Sequence, residues 1–313
     1  MHDTIEILDV DLLHKHPETL EFIDYWKAAL GRVIGWHYDL DIIWILDNIK
    51  RLGLKKGATI LDAGAGNGLM QFLLAAKGFN VISADFAERD IPWAAGKIFN
   101  ISSNNSSLAQ MSDHRYRRFI QHTIKMDSAR LTRVLGTPLR SIRRIFENTR
   151  DALHPKRWRE IWRQNEYGHI EYLTTDFTKL DSIAANSVDC VVSVSAIEHG
   201  DQNSSTLAIK EFERVLKKGG ANIITTSATN GPDKYLEYCQ GWCFSRDTLA
   251  AIFSAPGISD NFADYEALFN KLLNDSTFRS RIPTFYYEGG DNGLPYGKYP
   301  PQYQPVGIRK VVG

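Results

Sequence analysis

Cysteine is scarce in this chain: Cys190, Cys239 and Cys243 are the only three among 313 residues. Three thiols cannot build the disulfide framework of a small secreted domain. Cys239 and Cys243 lie four apart with no second pair to complete a zinc site. Cys190 sits in an apolar run, as a core residue does. No apolar stretch approaches the ~20 residues that cross a bilayer, and the acidic first residues lack the pattern of a signal peptide. Neither sign of charge prevails, with 37 Lys+Arg against 37 Asp+Glu, so global charge does not point to nucleic acid. These absences lead to the expectation of a cytoplasmic protein without a metal site.

What is present is concentrated in residues 60–68, Ile-Leu-Asp-Ala-Gly-Ala-Gly-Asn-Gly. A short apolar run ends in Asp62, glycines follow at 64, 66 and 68, and residues 69–77 read as a helix. A second apolar run, 81–85, closes in Asp85, seventeen residues past Gly68. This is a strand, a glycine turn, a helix and a second strand. Glycines there allow positive φ and a close approach of the backbone to a ligand, and an acidic residue about 20 positions on accepts from a ribose. Dinucleotide enzymes space their glycines Gly-x-Gly-x-x-Gly; here the spacing is one residue tighter. Asp62 adds a negative charge where a pyrophosphate would have to lie, which favours a cationic cofactor instead. S-adenosylmethionine carries an ammonium and a sulfonium and no phosphate.

At this point the chain resembles a class I S-adenosylmethionine-dependent methyltransferase. The resemblance covers about residues 31–95 and 166–255. Residues 172–177, ending in Asp176 and Phe177, resemble the third strand and its acidic-aromatic end. Residues 187–199, ending in Glu198 and His199, resemble the fourth strand and the acceptor-side loop. Residues 211–220 resemble the helix before a fifth strand at 221–226, with Gly219 and Gly220 as its C-cap. The residues also make sense on their own. Val188, Cys190, Val191, Val192 and Val194 suit a parallel strand covered on both faces, and Ala208, Phe212, Val215 and Leu216 recur at helical spacing.

The resemblance implies a doubly wound, Rossmann-like α/β fold with a seven-stranded sheet whose last strand, near 306–312, runs antiparallel. It implies cofactor contacts from Asp62, Gly64, Ala65, Gly66, Gly68, Asp85, Phe86, Asp176, Phe177, Ser195 and Tyr38. It also implies methyl transfer to an O or N atom, with S-adenosyl-L-homocysteine as product. His199 is the candidate general base, with Glu198 orienting it or serving the cofactor side; the pair also fits a purely structural role. Trp36 and His37, with Trp242 and Arg246, are candidates for the acceptor pocket, and packing against the sheet is the plain alternative for the first two.

The expected organisation is an N-terminal helical cap at 1–30, a Rossmann-like core at 31–96 and 165–313, and a basic helical insertion at 97–164. Ninety residues separate Asp85 from Asp176, far more than one crossover needs. The insertion opens on a polar, loop-like stretch, 100–107. From 113 to 163 it holds 14 Lys/Arg and 5 Asp/Glu. Thr137 and Pro138 start a helix that puts Leu139, Ile142, Ile145, Phe146 and Leu153 on one side and Arg140, Arg143, Arg144 and Arg150 on the other. A solvated outer face over a lid explains this pattern. Attraction of an anionic acceptor group or a membrane surface is the functional reading, and Arg157-Trp158-Arg159 and Trp162-Arg163 suit interfacial contact.

The leading expectation is therefore a methyltransferase acting on a small-molecule or glycan-like acceptor, with an anionic group among the options and no stable nucleic-acid complex. An RNA methyltransferase using the basic insertion is the alternative, although no RNA-binding module is visible. A non-catalytic S-adenosylmethionine-binding interaction protein is a third reading, and a nicotinamide enzyme a distant fourth.

Overall fold

The computed structural model describes residues 2–87, 89, 91–104, 154–163, 166–237, 239–283 and 301–313. Its centre is one sheet of nine strands in the order β10-β1-β11-β7-β6-β2-β3-β5-β4. The strands are β1 (Thr4–Ile7), β2 (Thr59–Ala63), β3 (Asn80–Asp85), β4 (Asn100–Ser103), β5 (His169–Thr174), β6 (Val188–Val194), β7 (Leu216–Ala228), β10 (Ser259–Asp260) and β11 (Gln304–Val311). A separate hairpin pairs β8 (Lys234–Leu236) with β9 (Gly241–Cys243). From β4 to β7 every pairing is parallel. β11 enters antiparallel beside β7, as expected of the last strand.

Two strands exceed the expected seven. β1 belongs to the segment expected to be a helical cap, and it lies between β11 and β10. Four residues carry too little periodicity to announce a strand. Ile5 and Ile7 become core residues only because Ile308 and Val306 of β11 stand opposite them. β4 likewise falls in the stretch read as loop. It is a polar edge strand, parallel to β5, and no hydrophobic alternation marks it.

The β2, β3, β6 and β7 runs are almost wholly buried because helices cover both faces. One face is closed by α1 (Asp11–Lys15), α2 (Pro17–Leu30), α3 (Tyr38–Leu52) and α4 (Met70–Ala76). Their buried side chains include Ile23, Trp26, Leu40, Ile43, Trp44, Phe72 and Leu73. The next helices in the chain are α5 (Trp93–Ile98), α6 (Pro155–Ile161), α7 (Gln202–Val215) and α8 (Arg246–Ile252). The last two close the other face with Ala208, Phe212, Val215, Leu249 and Ile252. α7 stops at Val215, four residues before the glycine pair expected to cap it. Residues 216–220 already belong to β7: Leu216 pairs with Val188, the next pair is Ala221 with Cys190, and the register slips between them. The chain continues through α9 (Tyr265–Asn274) and α10 (Ser276–Arg281) to β11.

The described end of the expected insertion is α6. Its Arg157, expected to face an interface, is buried, and its Nε donates to the Ala29 carbonyl at the end of α2, at 2.9 Å. Glu160, also buried, accepts from the Tyr25 and Tyr167 hydroxyls. Trp158 packs edge-on against Trp93, while Trp162 is 86% exposed. The expected amphipathic helix and most of the basic segment lie outside the described residues, as do the Gly-, Pro- and Tyr-rich residues 284–300. Among the described residues no helix is long and apolar enough to cross a membrane.

Candidate active site

The parallel strands carry their C-terminal ends to one edge of the sheet, where a doubly wound fold binds ligands. β2 ends there in the glycine turn that leads into α4. Gly64 and Gly66 take φ of +70° and +46°, a region L-residues enter at a cost. A Cβ on Gly64 would come 2.4 Å from the Cβ of Ala196, so no side chain fits. The turn is tied to β3: the amides of Gly64 and Ala65 donate to the Ala84 carbonyl at 2.9 and 3.1 Å. Gly66 N donates to Asp85 Oδ2 at 2.7 Å, and Ala87 N donates to Oδ1 at 2.8 Å. Each Asp85 oxygen thus holds one backbone amide and keeps a lone pair for a ligand.

A second layer of support has no motif in the sequence. Gln71 donates to the Gly68 carbonyl at 3.0 Å and accepts from the Ser83 hydroxyl at 2.8 Å, pinning the turn to β3. Buried Arg89 bonds the Ser83 hydroxyl and the Ser83 and Leu173 carbonyls, and lies over the Tyr172 ring. Asp62 stands beneath the turn. It is fully buried, and its Oδ2 has no hydrogen-bond partner. Burial pushes its pKa up to about 7, with Arg89 pulling it down and Asp85 pushing it up by smaller amounts.

These groups line a cavity of about 860 Å³. All eleven residues expected at the cofactor stand on its wall: Asp62, Gly64, Ala65, Gly66, Gly68, Asp85, Phe86, Asp176, Phe177, Ser195 and Tyr38. Phe86 offers a ring that is 73% exposed. Phe177 is backed by Phe212 at 5.9 Å, and Asp176 is held by the amide and hydroxyl of Thr178, both at 2.8 Å. Ser195, at the end of β6, has a φ of +48°, a strained conformation for a serine. Its backbone is fixed by the Thr225 carbonyl at 3.0 Å.

A smaller cavity of about 290 Å³ adjoins the first, and Val33, Ile34, Gly35, Tyr38, Ser195 and His199 line both. Trp36, His37, Glu198 and Tyr303 belong to the smaller one alone. Gly35 is needed for the shape of this junction, since a Cβ there would meet the Tyr38 ring at 2.7 Å. His199 is exposed, and its Nδ1 faces the Gln240 carbonyl at 3.0 Å. A carbonyl only accepts, so Nδ1 carries the proton and Nε2 is left with a lone pair. Glu198 is buried and accepts from the Thr226 hydroxyl at 2.9 Å. The backbone of Gln240, rather than Glu198, therefore orients His199. Burial raises the Glu198 pKa. Trp242 and Arg246 line neither cavity: Trp242 packs at a tilt against Tyr235, with ring centroids 5.4 Å apart, and Arg246 forms ion pairs with Asp260 and Asp247.

A parallel α/β sheet with a glycine turn, carboxylates at successive strand ends and an adjoining pocket defines a Rossmann-like protein that binds a nucleoside cofactor. The chain belongs to the family described as methyltransferase domain, whose model matches residues 43–265, more than two thirds of its length. It is a class I S-adenosylmethionine-dependent methyltransferase, and S-adenosylmethionine is its cofactor. No curated protein matches the sequence significantly.

Among solved structures it is similar to the PH0226 protein of Pyrococcus horikoshii OT3, at 17% identity over 59% of this chain, with a TM-score of 0.31. The chain spans 53% of that protein's length. It is also similar to the YcgJ protein of Bacillus subtilis, at 12% identity over 86% of this chain and 97% of that one, with a TM-score of 0.42. A SAM-dependent methyltransferase of Methanosarcina mazei is 13% identical over 84% and 96% of the two chains, with a TM-score of 0.40.

Proposed function

We propose that the larger cavity holds S-adenosylmethionine and that the methyl group passes to an O or N atom of a small acceptor in the smaller cavity. The observation that carries this reading is Asp62, a buried carboxyl with an unpartnered oxygen on the cavity wall beside the glycine turn. A buried carboxylate needs a cation or donors to be stable, and the cofactor's ammonium supplies both. Asp85 keeps lone pairs for the ribose hydroxyls, and the exposed Phe86 ring offers a stacking face for the adenine. When bound, the cofactor supplies an electrophilic methyl group; the protein aligns the acceptor, excludes water and removes a proton where the acceptor is a hydroxyl.

The described walls of both cavities carry carboxylates and histidines but no lysine or arginine. An anionic acceptor would be buried there without counter-charge, so an uncharged acceptor is favoured over the anionic acceptor group that the basic insertion suggested. The proton acceptor is then one of two imidazoles on the smaller cavity, His37 or His199.

Isothermal calorimetry tests the cofactor assignment. S-adenosylhomocysteine should bind and NAD should not, because a pyrophosphate would meet Asp62; tighter binding of NAD would overturn the reading. The pH dependence follows from Asp62. Its folded pKa, about 7, lies above the unfolded value of about 4, so the stability it contributes is fully present at pH 4 and lost as pH rises through 7. Cofactor-free protein should lose stability over that window. The ligand's ammonium favours ionised Asp62, so affinity for S-adenosylhomocysteine should rise about tenfold between pH 6 and 8. Asp62→Asn should flatten both profiles, raising the Tm of the cofactor-free protein at pH 8 while weakening binding there. A wild-type affinity independent of pH would remove Asp62 from the cofactor site.

A further inference from the structure

We infer that the smaller cavity receives an uncharged hydroxyl compound whose proton is taken by Nε2 of His37, with Asp41 as the positioning residue. This rests on the cofactor occupying the larger cavity. His37 and Asp41 are one helical turn apart at the start of α3, and their side chains are 2% and 0% exposed. Nδ1 of His37 is hydrogen-bonded to Asp41 Oδ2. The carboxylate only accepts, so Nδ1 carries the proton and Nε2 presents the lone pair. The other Asp41 oxygen has no partner, which leaves the carboxylate free to stabilise the imidazolium that proton transfer creates.

Nε2 faces the Tyr303 hydroxyl at 3.4 Å. That hydroxyl accepts from Trp36 Nε1 at 3.2 Å, so its own hydrogen is available to His37. The contact is long for a hydrogen bond, and a substrate hydroxyl that approaches more closely displaces it. His199 offers less as a base: it is exposed, and an uncharged backbone carbonyl orients it. The walls of the cavity define the ligand. The rings of Trp36, Tyr38 and Tyr303 suit a flat apolar body, and among the described residues neither a lysine nor an arginine lines it. Glu198 supplies no firm counter-charge for a cation, because burial favours its neutral form. An alcohol or phenol with a compact aromatic or flat carbon frame fits these walls. The O–H bond of the acceptor breaks, the proton binds Nε2 of His37, and the electron pair stays on the acceptor oxygen that takes the methyl group. S-adenosylmethionine held in the larger cavity would supply that methyl group, its carbon–sulfur bond breaking with the electron pair kept on sulfur.

The test uses the full chain, labelled with 15N at histidine and saturated with S-adenosylhomocysteine. Phenol is the uncharged probe, and benzoate and benzylamine are its anionic and cationic counterparts. The His37 signals are assigned by their loss in His37→Gln. Nε2 of His37 should resonate as an unprotonated nitrogen, and phenol should shift it with saturation. Benzoate and benzylamine should bind at least about tenfold more weakly, for want of a counter-charge. Ser227 and Cys239 line the smaller cavity and not the larger one, so blocking it with Ser227→Leu, or with Cys239→Leu should the first not fold, should abolish the phenol shift and leave S-adenosylhomocysteine affinity unchanged. Asp41→Asn should lower the fraction of His37 in the Nδ1–H tautomer, a change that loss of packing alone does not produce. A phenol shift confined to His199, no shift at His37, or a charged probe binding as tightly as phenol overturns the inference. Failure of S-adenosylhomocysteine to bind at all is a different result, which defeats the reading of the larger cavity.

Discussion

Gly64→Ala should destabilise the protein by about 3 kcal/mol and abolish measurable binding of S-adenosylhomocysteine. Two costs add. An L-residue held near φ +70° loses about 1–2 kcal/mol, and a methyl group 2.4 Å from the Ala196 Cβ forces a core rearrangement worth about 1–3 kcal/mol. The neighbours that must yield are the end of β6 and the Phe177 ring, both on the wall of the larger cavity. Gly53→Ala separates the two costs. Gly53 has a nearly identical φ of +67° with nothing within 4 Å of an added Cβ, so it should show the backbone cost alone and bind S-adenosylhomocysteine normally. Thermal denaturation and calorimetry on both variants decide the matter. Equal destabilisation by the two substitutions would mean that Ala196 moves aside freely.

Asp85→Ala should weaken S-adenosylhomocysteine binding by at least about a hundredfold, because hydrogen bonds to a charged group contribute about 1.5–3 kcal/mol each. The same change frees the amides of Gly66 and Ala87, now held at 2.7 and 2.8 Å. Both amides belong to residues beside an open cavity, where water can replace the carboxylate, so Tm should fall by only a few degrees. Asp85→Asn keeps one acceptor and should lie between wild type and alanine. An alanine variant that binds within threefold of wild type would sink the ribose assignment.

Where the candidate site was legible in the sequence, the reason is that its signals are local. Asp62, the three glycines and Asp85 fall within 24 consecutive positions, and a parallel sheet carries the ends of adjacent strands to one edge. Asp176, Phe177 and Ser195 follow by the same rule, since each lies at or just beyond a strand end. Trp36 and His37 are candidates for the acceptor pocket in the sequence and line the smaller cavity, while the hydrogen bond between His37 and Asp41 carries no signal there. Trp242 and Arg246 are candidates for that pocket too, and they face elsewhere because β9 and the start of α8 are fixed by Tyr235 and Asp260. The Gln71–Ser83–Arg89 bracing went unseen because glutamine, serine and arginine carry no spacing that marks them as a unit.

The sequence by itself determined the class of fold, the identity of the cofactor and the position of the glycine turn, because hydrophobic period, glycine spacing and a carboxylate at a strand end are properties of neighbouring residues. Only the tertiary structure decided the number of strands, the route of the N-terminus into the sheet and the walls of the second cavity. β1 becomes a strand by pairing with residues about 300 positions away, and His37 meets Tyr303 across 266 positions. Such contacts depend on how the whole chain closes, and no local pattern of side chains encodes them.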